Sequence, residues 1–143
     1  MKKKYLISFI IIVTVLIASV ITFGIISNVQ MDKLEDAKHY NIGEVKIQTI
    51  NYATDTSLKL ENYNYGSNGA EHKKFFEYSV KNAEGVAGLY TEYLISDENF
   101  VIDTEETYMR VLTKEYENKD NLKVVLSFKD DTIELNLIYT YKD

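Results

Sequence analysis

Two histidines, His39 and His72, and twelve tyrosines are the residues of this chain whose types invite chemistry. A zinc site or a Ser-His-Asp arrangement needs at least one histidine held in a pocket with suitable partners. Neither histidine has ligand-like spacing around it, and both read as surface residues. Carboxylates are so plentiful that pairs of them carry no signal. The stretch "SDENFVIDTEE" gathers Asp97, Glu98, Asp103, Glu105 and Glu106. An EF-hand loop places oxygen ligands at alternate positions and a glycine at the sixth. Counted from Asp97 the sixth residue is Ile102, so the stretch reads as a solvated acidic loop. Neither G-x-G-x-x-G nor a P-loop occurs, so no glycine-rich phosphate cradle is present. No residue is assigned a catalytic, cofactor-binding or metal-ligating role, no cofactor is expected, and the chain reads as non-enzymatic.

The tyrosines point elsewhere. Tyr63 and Tyr65, and again Tyr139 and Tyr141, stand two apart on segments that read as strands. Spacing of two puts both members of a pair on one face of a strand. Tyrosine offers amphipathic contact area at low entropic cost and is enriched in interfaces, while also being an ordinary strand residue. These four form the candidate interaction face.

Charge narrows the partners. The net charge is −6, and setting aside Lys2, Lys3 and Lys4 leaves −9. Arg110 is the only arginine. Nucleic-acid binding needs a basic footprint, so nucleic acid is excluded as a partner, as is adhesion to an anionic membrane surface. There is no cysteine, which removes disulfides, thiolate catalysis and cysteine zinc sites. There is also no proline, which argues against a disordered or Pro-rich stalk.

The elements that must position these residues begin with an apolar run. From Tyr5 to Ile26 no charge occurs. As a helix this run spans about 33 Å, against a hydrocarbon core of about 30 Å. It exceeds the apolar core of about 7–15 residues of a cleavable signal, and its small-x-small sites are poor. The expectation is a cytoplasmic tail at 1–4, a retained signal-anchor helix at 5–26, a helical juxtamembrane stem at 27–43 ended by Gly43, and an extracytoplasmic domain at 44–143. Lysines at the short end keep the N-terminus cytoplasmic. The chain is thus read as a single-pass cell-membrane protein with its C-terminal domain outside.

Within that domain the pattern predicts an α+β fold. Residues 45–49 and 57–65 read as a hairpin, and "GSNG" at 66–69 as a loop. The segment 71–95 is ambiguous between helix and strand. Phe75, Phe76, Ser79 and Val80 fit helical spacing, as do Val86, Leu89, Tyr90, Tyr93 and Leu94, which reads as two short helices. The C-terminal third reads as a three-stranded antiparallel meander, with Leu122, Val124, Leu126 and Phe128 on one face of the middle strand and Ile133, Leu135, Leu137, Tyr139 and Tyr141 on one face of the last.

A basic leader, an apolar helix running on as a stem and a C-terminal antiparallel meander resemble type IV pilins and pseudopilins in layout. That resemblance implies an assembly subunit. The sequence departs from the family where its motif lies: Tyr5–Gln30 contains no acidic residue, and no Gly or Ala follows Lys4. The expected function is a small interaction or assembly domain with a protein partner in a bacterial cell envelope. The alternatives are a membrane-tethered hydrolase using acidic residues, a pilin-like subunit and a cleaved secreted factor.

Overall fold

The computed structural model describes residues 14–17, 19 and 30–142. The expected tail at 1–4 and most of the expected anchor at 5–26 lie outside the described residues; 14–17 and 19 are helical, as are 30–35. Among the described residues no helix is long and apolar enough to cross a membrane. The chain divides into two compact units, 1–34 and 35–143. The second is the small α+β domain.

Its first element corrects the expected stem. Helix stops at Glu35, and His39–Ile42 forms a strand, β1, paired antiparallel with β2, Val45–Gln48. Tyr40 and Ile42 are both buried, with the period of two that a strand needs. Gly43 is a turn residue rather than a helix stop. It has φ +56°, at the first of two turn positions, where a II′ hairpin turn takes glycine. A Cβ on Gly43 would also lie 2.3 Å from the Tyr139 ring, so two independent constraints exclude a side chain there.

The hairpin expected between residues 45–49 and 57–65 does not form, because β2 pairs with β1 instead. Between them sits α1, Ile50–Thr54, capped by Thr49 Oγ1, which accepts from the Tyr52 N–H at 3.3 Å. The strands β3 (Lys59–Asn68) and β4 (Glu71–Ser79) then close a tight hairpin. The expected loop at 66–69 is therefore mostly strand, and its turn is Gly69–Ala70. The first expected helix of 71–95 is β4. His72, Lys74, Phe76 and Tyr78 point inward and alternate with Lys73, Phe75 and Glu77. Two adjacent phenylalanines satisfy either period, and pairing on both sides of β4 decides it.

The second expected helix is present as α2, Ala83–Ser96, capped by Asn82, whose Oδ1 accepts from the Gly85 N–H at 3.0 Å. It buries Val86, Ala87, Tyr90, Tyr93 and Leu94, while Leu89 is left in solvent. The acidic stretch contains a further strand, β5, Val101–Glu106. It is followed by β6 (Met109–Glu115), β7 (Asn121–Lys129) and β8 (Thr132–Thr140).

All six strands from β3 onward form one antiparallel sheet in the order β3-β4-β8-β7-β6-β5. β5 to β8 are the expected meander with one strand added, and the β3–β4 hairpin docks on the free side of β8. The inner face, with Leu122, Val124, Leu126, Ile133, Leu135 and Leu137 fully buried, forms the core with α2 and the β1–β2 hairpin. Buried tyrosines stitch these layers. Tyr40 and Tyr78 share a hydroxyl hydrogen bond of 2.8 Å, Tyr40 Oη accepts from the Ile50 N–H at 3.1 Å, and Tyr90 donates to Gln48 O at 2.9 Å. Beyond the hairpin, where β3, β4 and β8 run past it, the inner face is open.

Candidate functional site

That open end is a cleft of about 420 Å³. The pleat of β3 turns Tyr63, Tyr65 and Ser67 to the inner face, opposite Phe76, Lys74 and His72 of β4. His72 in turn pairs with Tyr139 of β8, which carries Tyr141 just beyond it. The β1–β2 turn supplies the other wall through Asn41, Ile42 and Gly43.

His72 is the hub. Its Nδ1 lies 2.9 Å from Tyr65 Oη and 2.9 Å from Ser67 Oγ, and its Nε2 lies 2.9 Å from Tyr141 Oη. Tyr65 stacks on the imidazole with centroids 6.2 Å apart, and Tyr141 meets it edge-on at 5.3 Å. Tyr63 leans on Phe76 at 5.1 Å. Among the described residues lining the cleft the one carrying a fixed charge is Lys74, whose Nζ sits 5.7 Å from the Tyr65 ring centroid. Partial burial holds its pKa below the usual lysine value, and among the described residues no carboxylate pairs with it. Among the described residues lining this cleft none is acidic. By contrast, the neighbouring hollow beside α1 is lined by Glu35, Asp36 and Asp55.

Three of the four tyrosines singled out by spacing, Tyr63, Tyr65 and Tyr141, thus come together. Tyr139 does not join them. It is fully buried, and its hydroxyl donates to Asp120 Oδ2 at 2.5 Å. The same carboxylate accepts from Asn118 Nδ2 at 2.9 Å and from the Lys142 N–H at 3.0 Å. These donors, Tyr139 first, hold the Asp120 carboxyl below its ordinary pKa, while burial and the carboxylate push Tyr139 up to about 12. Burial removes Tyr139 from any contact face.

Sequence reasoning missed His72 and Lys74 because it placed them on a helix. Alternation through β4 would have put both beside Tyr65. His39 is exposed, near Tyr52, and lies apart from the cleft. The acidic residues singled out earlier have local roles. Asp97 caps α2, Glu98 accepts from Tyr93 at 2.5 Å, and Glu105 pairs with Arg110 at 3.2 Å. Among the described residues no group of three or more His, Cys, Asp and Glu is arranged to hold a metal ion.

Chemically, the cleft offers flat aromatic surface, hydroxyl and imidazole hydrogen bonding and one cation. No known family, no curated protein and no solved structure matches the chain.

Proposed function

We propose that the chain is a single-pass membrane protein of a bacterial cell envelope, with its N-terminus cytoplasmic and the domain at 35–143 outside, and that this domain is a non-catalytic binding module. Its proposed contact site for a protein partner is the cleft of Tyr63, Tyr65 and Tyr141 around His72 and Lys74. One observation carries the reading: Tyr63, Tyr65 and Tyr141 line one cleft with His72 and with Lys74, a cation that pairs with no carboxylate among the described residues. Aromatic anchors and polar groups in a concave site are what binding surfaces use. The complementary group is an acidic side chain or chain end that meets Lys74. The anchor rests on the charge-free run at 5–26.

A photoreactive residue at Tyr65 in the membrane-resident protein tests both parts. The expected result is full-length mass in the membrane fraction and a discrete adduct at Tyr65 that Lys74→Glu abolishes. A soluble, shortened chain would overturn the anchor. An adduct at control position Leu89 equal to that at Tyr65 would overturn the cleft.

One contact favours a second reading, a tethered hydrolase that would use Ser67 and His72 rather than the acidic residues expected from sequence. Ser67 Oγ at 2.9 Å from His72 Nδ1 is at nucleophile-to-base distance. The other imidazole nitrogen meets Tyr141 instead of the carboxylate that orients a triad histidine. Ser67→Ala distinguishes the readings: loss of an ester hydrolysis present in the wild type would establish the enzyme.

A further inference from the structure

The inner face of the sheet is covered along most of its length, whereas no element of residues 35–142 packs on the outer face. Register arranges that outer face in rows across the strands. The middle row runs Phe75, Asn136, Val125, Val111, all half-buried. On one side of it lie Lys73, Ile138 and Lys123, and on the other lie Glu77 and Glu134. Glu77 and Glu134 are directly opposite on neighbouring strands, where like charges destabilise a sheet. Among the described residues neither has an ion pair, nor does Lys123. Lys73 has one surface pair, with Glu71 at 2.9 Å, a kind that contributes little. An apolar strip flanked by a cationic row and an anionic row, with the charges left largely unneutralised, has no purpose in the isolated domain.

We propose that this face is an isologous interface between two copies of the chain. The charge pattern selects a second copy because it is self-complementary. A two-fold axis laid along the middle row reverses strand direction and keeps strand order. Lys73 then faces Glu77 of the partner subunit, and Lys123 faces the partner's Ser127, one strand over (about 4.8 Å) from the partner's Glu134. Both relations occur twice by symmetry. The strips of Phe75, Val125 and Val111 meet on the axis. Face-to-face sheets pack with strands nearly aligned, about 30° apart, which this axis permits. Asn136 sits in the middle of the apolar row with no side-chain hydrogen bond in the described residues. An amide carries both donor and acceptor, so two symmetry-related Asn136 side chains bond reciprocally, and a lone polar group of this kind fixes register.

The area is sufficient. Six strands about 4.8 Å apart, with about eight residues of about 3.4 Å each, outline roughly 650 Å² per copy. Two such faces bury about 1,300 Å², within the range of specific interfaces, about 1,200–2,000 Å². The tyrosine cleft is on the opposite face, so the inference stands or falls independently of the proposed function.

The absence of native cysteine makes introduced thiols clean reporters. Full-length Lys73→Cys protein is mixed with full-length Glu77→Cys protein in mild detergent and treated with a short bis-maleimide. The mixture should give several-fold more cross-linked dimer than either variant alone. As a second arm, the double variant Lys73→Glu, Lys123→Glu should self-associate at least about tenfold more weakly, because like charges then face each other. Adding Glu77→Lys, Glu134→Lys protein should restore pairing as a mixed dimer. Three results would overturn the proposal: a monomeric mass by light scattering up to the solubility limit, equal cross-linking in all three samples, or a dimer indifferent to both charge reversals, which would assign pairing to another segment.

Discussion

Tyr139 and Tyr141 are two residues apart, of the same type, and bonded at their hydroxyls, yet they belong to opposite kinds of site. Tyr139 ends on Asp120, whose two oxygens already receive the Asn118 amide and the Lys142 N–H. Every polar group there is occupied and the ring is sealed beneath Gly43. Tyr141 ends on a histidine ringed by hydroxyls that can rotate, in a cleft open to solvent. The closed cluster ties β8 to the β6–β7 loop, whereas the open one is the proposed contact site.

The comparison breaks most visibly at Tyr139. Tyr139→Ala should cost about 3–5 kcal/mol in urea unfolding followed by tyrosine emission, the usual loss for an aromatic removed from a core. Tyr139→Phe keeps the ring and removes one of the three donors to Asp120, so the loss of one hydrogen bond to a charged group, about 1–3 kcal/mol, is expected. The matching change in the open cluster, Tyr141→Phe, should fall within about 0.5 kcal/mol while weakening the Tyr65 adduct. A loss at Tyr141 equal to that at Tyr139 would erase the distinction.

Acid sharpens the same contrast. Asp120 has a depressed carboxyl in the folded state, so its contribution is complete above the unfolded value of about 3.9 and is lost as pH falls through the folded value. Asp120→Asn should flatten that part of the stability–pH curve, and His72→Gln should leave it unchanged. In alkali, burial holds the hydroxyls of Tyr40 and Tyr90 well above their ordinary value. The unfolded chain releases those protons first, so stability should fall as pH rises past about 10. Spectrophotometric titration should show these phenols ionising only together with unfolding.

How much of this was legible in the sequence follows from how local each cause is. β7 and β8 were readable because their buried and half-buried residues alternate cleanly, which is a property of each strand alone. α2 was readable from Val86, Tyr90, Tyr93 and Leu94, although Leu89 at the same spacing faces water. β4 was not, because Phe75 and Phe76 satisfy two periods and the deciding term is ladder pairing with β3 and β8. β1 reads as stem because Leu34, Ala37 and Tyr40 mimic a helical stripe, and only the docked hairpin reveals Tyr40 as core. In the candidate site, spacing puts Tyr63 and Tyr65 on one face of β3, and the structure places Tyr141 in the same cleft. Spacing could not separate Tyr139 from them, because the partner that sequesters it, Asp120, lies in a turn on another element.

β8 is the last strand in sequence, yet it lies in the centre of the sheet, with Glu71 to Ser79 on one flank and Asn121 to Lys129 on the other. Until it is made, β4 has no inner neighbour and the hairpin of β3 and β4 has nothing to dock on. Pairings this distant along the chain close slowly and late. For a polypeptide read as crossing a membrane behind its own anchor, this order has a consequence for biogenesis. Under the proposed topology, the sheet lacks its central strand until Thr132–Thr140 has crossed.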